Sequence, residues 1–102
     1  MQHVRVAVYR FKAGAADEAI AKARAGLLPI YQGQPGFVAY GVVKTGDDAG
    51  VSISVWQTQA EAEAAVQTAG SWVQANIAAL VETVQNQVGE LSYFVAAAAI
   101  GS

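Results

Sequence analysis

Residues 51–56, Val51-Ser52-Ile53-Ser54-Val55-Trp56, alternate strictly between three β-branched residues and a second set made of two hydroxyls and an indole. That two-residue period is the signature of a half-buried strand. The side carrying Val51, Ile53 and Val55 has the branched apolar surface expected of a strand packed on helices. The other side, Ser52, Ser54 and Trp56, ends too apolar for plain solvent, so a second surface is expected to cover it.

Upstream, Phe37 to Lys44 also reads as strand, and the intervening Thr45-Gly46-Asp47-Asp48-Ala49-Gly50 has the chemistry of a hairpin loop, so the two strands should pair antiparallel. Gly33-Gln34-Pro35-Gly36 ends a helix predicted from Ala15 to about Tyr31, in which Ile20, Leu27 and Tyr31 recur near helical spacing and Asp17 and Glu18 sit where the helix dipole favours acids. Pro29 is expected to bend its last turn. At the start, Val4, Val6 and Val8 alternate with Arg5, Ala7 and Tyr9, giving a first strand from His3 to Phe11.

Downstream, Thr58 and Glu61 have capping-box spacing ahead of an alanine-rich helix to about Thr68, which Gly70 is expected to break. Ser71 and Gln74 repeat the capping signal, and Val73, Ile77, Leu80 and Val84 fall in one helical stripe, which predicts a third helical segment closed by Gln85-Asn86-Gln87. Val88 to Val95 then alternates as a fourth strand, with Leu91, Tyr93 and Val95 opposite Glu90, Ser92 and Phe94. The tail, 96–102, has no pattern; it extends the strand or lies across a partner, and its final Gly-Ser is expected to be disordered.

The order is β-α-β-β-α-β, a ferredoxin-like α+β protomer with a four-stranded antiparallel sheet, both helical blocks on one face and the first and third strands central. One domain is expected over 1–102, with its core at about 3–95. On this facing the open side of the sheet carries Arg5, Tyr9, Phe11, Tyr40, Val42, Ser52, Ser54, Trp56, Ser92 and Phe94. A second copy packed about a two-fold axis would bury so aromatic a face, which predicts a homodimer.

Composition agrees with association. Of the 102 residues, 54% are hydrophobic and 14% charged, more apolar side chain than a small monomer readily hides. The net charge of -2 comes from eight acids and six bases without a basic cluster, so nucleic acid is not an expected partner. Cysteine is absent, which removes disulfides and thiolate chemistry and suits a reducing cytosol. Met1-Gln2-His3 runs directly into a strand pattern with no signal-peptide character, and the longest apolar run, Tyr93 to Ile100, is too short to span a bilayer.

Few residues suggest chemistry. The single histidine, His3, lies at the start of a strand and is expected to be solvated or lightly hydrogen-bonded. Asp47 and Asp48 fall in the hairpin loop and Glu61 and Glu63 in a first helical turn, none with a histidine at metal-ligand spacing. No phosphate-binding glycine motif and no Ser/His/acid arrangement is present. Glu90 and Arg5 are placed to approach each other across neighbouring strands. Trp72 and Asn76, spaced i, i+4, lie side by side on a helix flank next to the apolar stripe.

The strand Val4 to Phe11, the turn Gln34-Pro35-Gly36-Phe37, the strand ending in Trp56 before a Thr/Gln/Ala/Glu-rich helix start, the segment Ser71-Trp72-Val73-Gln74-Ala75-Asn76-Ile77 and the run Val88-Gly89-Glu90 together resemble the antibiotic biosynthesis monooxygenase family, over about residues 3 to 95. The resemblance implies a dimeric α+β barrel with a small pocket between helices and sheet, and a cofactor-independent monooxygenase acting on an aromatic or quinol-like small molecule. It implies catalytic roles for Trp72 and Asn76, which would hold a polycyclic phenol and polarise its oxygen while the substrate reacts with O2, although their order along the helix is the reverse of the family's best-known arrangement. It also makes Phe37, Tyr40, Trp56 and Tyr93 substrate contacts. Heme is disfavoured and no cofactor is expected, because the heme-degrading branch uses a helical histidine and a first-strand asparagine that this chain lacks. For Trp72 and the other aromatics, packing in the core or a dimer interface remains the competing reading. Two further functions stay open: a non-catalytic small-ligand-binding or stress-related dimer, and a cofactor-free isomerase of the muconolactone type, which needs Glu90 or His3 inside the cavity.

Overall fold

The computed structural model describes residues 1–97. Its elements are β1 (His3–Phe11), α1 (Ala16–Gln32), β2 (Phe37–Gly46), β3 (Ala49–Trp56), α2 (Gln59–Asn76), one 3₁₀ turn (Ala78–Leu80) and β4 (Val81–Glu90). The strands form one antiparallel sheet in the order β2-β3-β1-β4, so β1 and β3 are central, as the ferredoxin-like order requires. No helix among the described residues is long and apolar enough to cross a membrane.

Local chemistry explains most boundaries. Thr58 and Glu61 form the reciprocal capping box at the start of α2, with Glu61 N–H donating to Thr58 Oγ1 at 3.2 Å and Thr58 N–H to Glu61 Oε1 at 3.0 Å. The same glutamate packs over Gly36, which has φ 79° and a position where a Cβ would overlap the Glu61 carboxylate, so the turn into β2 requires glycine. Asp47 and Asp48 alone span β2 and β3, a shorter loop than expected, and their carbonyls accept from Ala16 N–H at 3.1 Å and Phe11 N–H at 2.7 Å. The hairpin tip is thereby tied to the start of α1. Pro29 stays inside α1, which runs on to Gln32.

The facing of the sheet is the reverse of the one expected. Ser52, Ser54 and Trp56 are buried, as are Arg5, Tyr9 and Phe11, and Tyr40 lies on the same, helix-covered side. Val51, Ile53 and Val55 point away from the helices, beside Val4, Val6 and Val8. The cause lies in the helices: their buried residues are chiefly alanines, Ala16 and Ala19 on α1 and Ala62, Ala65 and Ala69 on α2. Small side chains bring a helix close but fill little volume, so the large residues must come from the sheet. Trp56 can be wholly buried because its indole N–H donates to Ser54 Oγ at 2.9 Å, two residues back on the same face.

The region after Gly70 also differs. The helix does not break there: α2 continues to Asn76, Ser71 caps nothing, and the expected third helical segment is replaced by the 3₁₀ turn and by β4 beginning at Val81. The fourth strand is thus Val81–Glu90, not Val88 to Val95, and Leu91 to Ala97 has no regular structure. Leu91 N–H still donates to Gln2 carbonyl at 2.9 Å, and beyond it Tyr93, Phe94 and Val95 are exposed. The expectations for the final residues, 98–102, lie outside the described residues.

Candidate functional site

Two aromatic clusters fill the space between helices and sheet. One gathers Ala7, Tyr9, Phe11, Ala15, Ala16, Ala19 and Ile77; the other gathers Leu27, Tyr31, Trp56, Ala62, Ala65 and Ala69, with Phe37 and Tyr40 against it. Trp72, half-buried on α2, packs against both. Its indole lies over Gly26 of α1, where a Cβ would sit 2.8 Å from Trp72 Nε1. Glycine at that point is what lets the indole come so close to the neighbouring helix.

Between the clusters is an apolar cavity of ≈ 30 Å³, bounded by Tyr9, Phe11 and Ser52 of the central strands, Tyr40 and Val42 of β2, Ile20 and Leu27 of α1, and Trp72, Val73 and Ile77 at the end of α2. Space of that size admits about one or two water molecules. Its polar groups are few. Burial pushes the Tyr40 phenol well above its ordinary pKa, reinforced by Tyr31 and Tyr9 and only partly opposed by Arg5. Tyr40 is therefore a neutral hydrogen-bond donor at physiological pH, in a setting where a donor acts strongly on developing negative charge.

Trp72 and Tyr40 are the two residues singled out in the sequence that line this cavity together. Asn76 does not line it: it is exposed, in a shallow outer depression with Ile30 and Ser71, and its Nδ2 donates to Trp72 carbonyl at 2.9 Å. That bond folds the amide back onto its own helix. Phe37 and Trp56 stack edge to face with centroids 5.6 Å apart, and Trp56 meets Tyr31 in the same way at 5.2 Å, all behind the cavity and outside its lining. Tyr93 is 84% exposed beyond β4. His3 Nδ1 lies 3.0 Å from Met1 carbonyl, and His3 pairs in register with Glu90 on β4; neither borders the cavity. Among the described residues no group of three His, Cys, Asp or Glu side chains converges as a metal site would require.

Sequence reasoning missed the polar centre behind this cavity. Arg5 is buried and donates to Asn86 Oδ1, Tyr31 hydroxyl and Tyr9 hydroxyl at 2.7, 3.2 and 3.0 Å, and Tyr31 hydroxyl in turn donates to Ala65 carbonyl at 3.1 Å. The available signal was parity: Arg5 and Tyr9 share a strand face with Ala7, and once Trp56 is placed inward their register partners Ser54 and Gly50 bring them inward too.

Residues 2–72 match the family model described as antibiotic biosynthesis monooxygenase. No curated protein matches the chain. Among solved structures, SnoaB, a cofactor-independent oxygenase from Streptomyces nogalater, is 21% identical, with 92% of this chain and 96% of that chain covered and a TM-score of 0.68. NE2512, a protein of unknown function from Nitrosomonas europaea, is 20% identical over 96% of each chain with a TM-score of 0.74. HapK from Hahella chejuensis is 21% identical, covering 96% of this chain and 100% of that one, with a TM-score of 0.70. At these identities the likeness is one of fold.

Proposed function

The chain belongs to the antibiotic biosynthesis monooxygenase family, and from that premise we propose that it is a cofactor-independent monooxygenase of aromatic or quinol-like small molecules, acting as a homodimer in a reducing cytosol. The observation that carries this reading is the pairing of Tyr40 and Trp72 on one otherwise apolar cavity. A methylene flanked by electron-rich phenolic rings supplies all four electrons that O2 needs: CH2 and O2 give C=O and H2O, with one oxygen atom retained and both hydrogens leaving on the other. Such a substrate requires a dry aromatic slot and a donor for the negative charge that gathers on its phenolic oxygen when it loses a proton.

In this proposal Trp72 is the wall on which the rings stack, and Tyr40 donates to the phenolic oxygen, the role the sequence suggested for Asn76. Ligand entry requires the half-buried Trp72 to swing off Gly26, because ≈ 30 Å³ holds no ring. Phe37 and Trp56 back the slot without touching the substrate, and Tyr93 takes no part from its own protomer. The isomerase alternative draws no support from the lining, which contains neither Glu90 nor His3.

The test is oxygen uptake with a panel of anthrones and hydroquinones. Tyr40→Phe should lower turnover by about 10²-fold, the usual loss for one oxyanion donor, with little change in melting temperature. Trp72→Phe should act mainly on KM. Full activity in Tyr40→Phe sinks the assignment of the donor; absence of uptake across the panel sinks the oxygenase reading.

A further inference from the structure

Arg5 is 2% exposed. Each of its three guanidinium nitrogens is held by a neutral oxygen: Nε by Asn86 Oδ1, Nη1 by Tyr31 hydroxyl and Nη2 by Tyr9 hydroxyl. The ion pairs among the described residues engage Arg10, Lys12, Lys22 and Lys44, and none supplies a carboxylate to Arg5. Tyr31 does not provide the missing charge, since burial raises its pKa above the ordinary value even though Arg5 pulls it down. A guanidinium has five N–H donors, so one contact per nitrogen leaves two unspent, together with the whole positive charge. Burying a charge without a counter-ion is costly.

Beside this arginine runs a groove of ≈ 390 Å³ between α2 and β4, bordered by Arg5 and Asn86, the amide of Gln74, and the apolar surfaces of Tyr9, Val73 and Val84. Its volume lies within the range of small-molecule sites, about 300 to 1,000 Å³. Glu82 also borders it, but its carboxylate faces Lys12 at 3.6 Å. A buried cation, two spare donors and an apolar wall together describe one kind of ligand.

We propose that this groove binds a small aromatic carboxylate, the carboxylate acting as counter-ion to Arg5 and the ring lying on Tyr9 and Val73. Arginine and a carboxylate match as two parallel N–H···O bonds and cancel each other's charge, which the neutral oxygens around Arg5 do not do. Tyr9 and Val73 also border the central cavity, so they form the partition between the two spaces. The site is defined by binding alone and stands apart from the oxygenase reading.

The experiment titrates 2-naphthoate and its neutral isostere 2-naphthamide into ¹⁵N-labelled protein at neutral pH, following the Arg5 Nε–H resonance and the dissociation constants. The acid should bind at least about tenfold more tightly than the amide, as expected when the ligand brings the opposite charge to a buried cation, and should move the Arg5 signal. Asn86 is exposed on an edge strand, so Asn86→Asp should fold; by placing a carboxylate against Arg5 it should raise the melting temperature and weaken naphthoate at least about tenfold, and by far more than it changes naphthamide. Equal affinity for acid and amide, no binding of the acid, or naphthoate binding that survives Asn86→Asp would each overturn the proposal. So would an Arg5 signal that responds to protein concentration and not to naphthoate, since the counter-ion would then come from a second copy.

Discussion

Gly26 decides where Trp72 lies. A methyl group added there would meet Trp72 Nε1 at 2.8 Å and Cζ2 at 2.9 Å, so Gly26→Ala must push the indole off α1 even though alanine favours the helix by about 1 kcal/mol. Because Trp56 is fully buried, the displacement should appear as stronger acrylamide quenching of tryptophan fluorescence, with the melting temperature lowered as the indole gives up its packing on both clusters; unchanged quenching would place the ring elsewhere. The tyrosines set the alkaline limit. Tyr31 and Tyr40 have folded-state pKa values raised chiefly by burial, while in the unfolded chain they ionise near the ordinary value of about 10. The unfolded state then binds fewer protons, so the stability these phenols contribute is complete below pH ~10 and falls as the pH rises beyond it. Urea titrations at pH 9 and pH 11 should differ in this direction, and by less in Tyr40→Phe. At this scale the sequence was partly legible. Trp72 and Tyr40 could be singled out as aromatics near a pocket, and parity puts Arg5 on the face of Trp56, but its partners could not be read, because Asn86 lies in a strand read as a helix end and Tyr31 in another element.

α2 is the element whose length the sequence concealed. Gly70 and the Ser71/Gln74 pair imitate a break and a restart, but Gly70 is exposed in mid-helix and a Cβ added to it would meet nothing within 4 Å, so neither packing nor backbone demands glycine there. Gly70→Ala should therefore stabilise the protein by about 0.5–1 kcal/mol, measured by chemical denaturation; a loss of stability would mean that the helix does end there. Thr58→Ala, which removes the capping box, should cost about 1 kcal/mol. β4 was misplaced for a related reason. Val73, Ile77, Leu80 and Val84 keep helical spacing by coincidence across a helix end, a 3₁₀ turn and a strand. What was available against that stripe is the β-branched content of Val81, Thr83, Val84 and Val88, and the polar Gln85-Asn86-Gln87, which suits an edge strand as well as a helix terminus. Where local chemistry alone fixes an element, as in the Thr58 cap and β1, the sequence and the structure agree.

For the whole molecule, the reversed facing changes which surface a partner must cover. The uncovered side of the sheet presents Val4, Val6 and Val8 of β1 against Val55, Ile53 and Val51 of β3, with Val43 of β2 beyond; Val8, Val43 and Ile53 are 49%, 54% and 41% exposed. A contiguous β-branched surface across three adjacent strands is unusual for a monomer of this size, and Tyr93, Phe94 and Val95 add further exposed apolar groups next to β4. The homodimer proposed above therefore uses the valine face, and the aromatic face is the protomer's own core. Light scattering of the unmodified protein at tens of micromolar should give about twice the 10.6 kDa chain mass. Ile53→Glu puts a carboxylate at the centre of that face without touching the helices; the buried unpaired charge should split the dimer while circular dichroism stays native. Tyr9→Glu, on the opposite face, should instead unfold the protomer, because Tyr9 is 9% exposed inside the core cluster. The contrast between the two variants is the decisive measurement. If Ile53→Glu remains dimeric, or the unmodified chain is a stable monomer, the two-fold packing of valine faces is wrong, whatever chemistry the cavity performs.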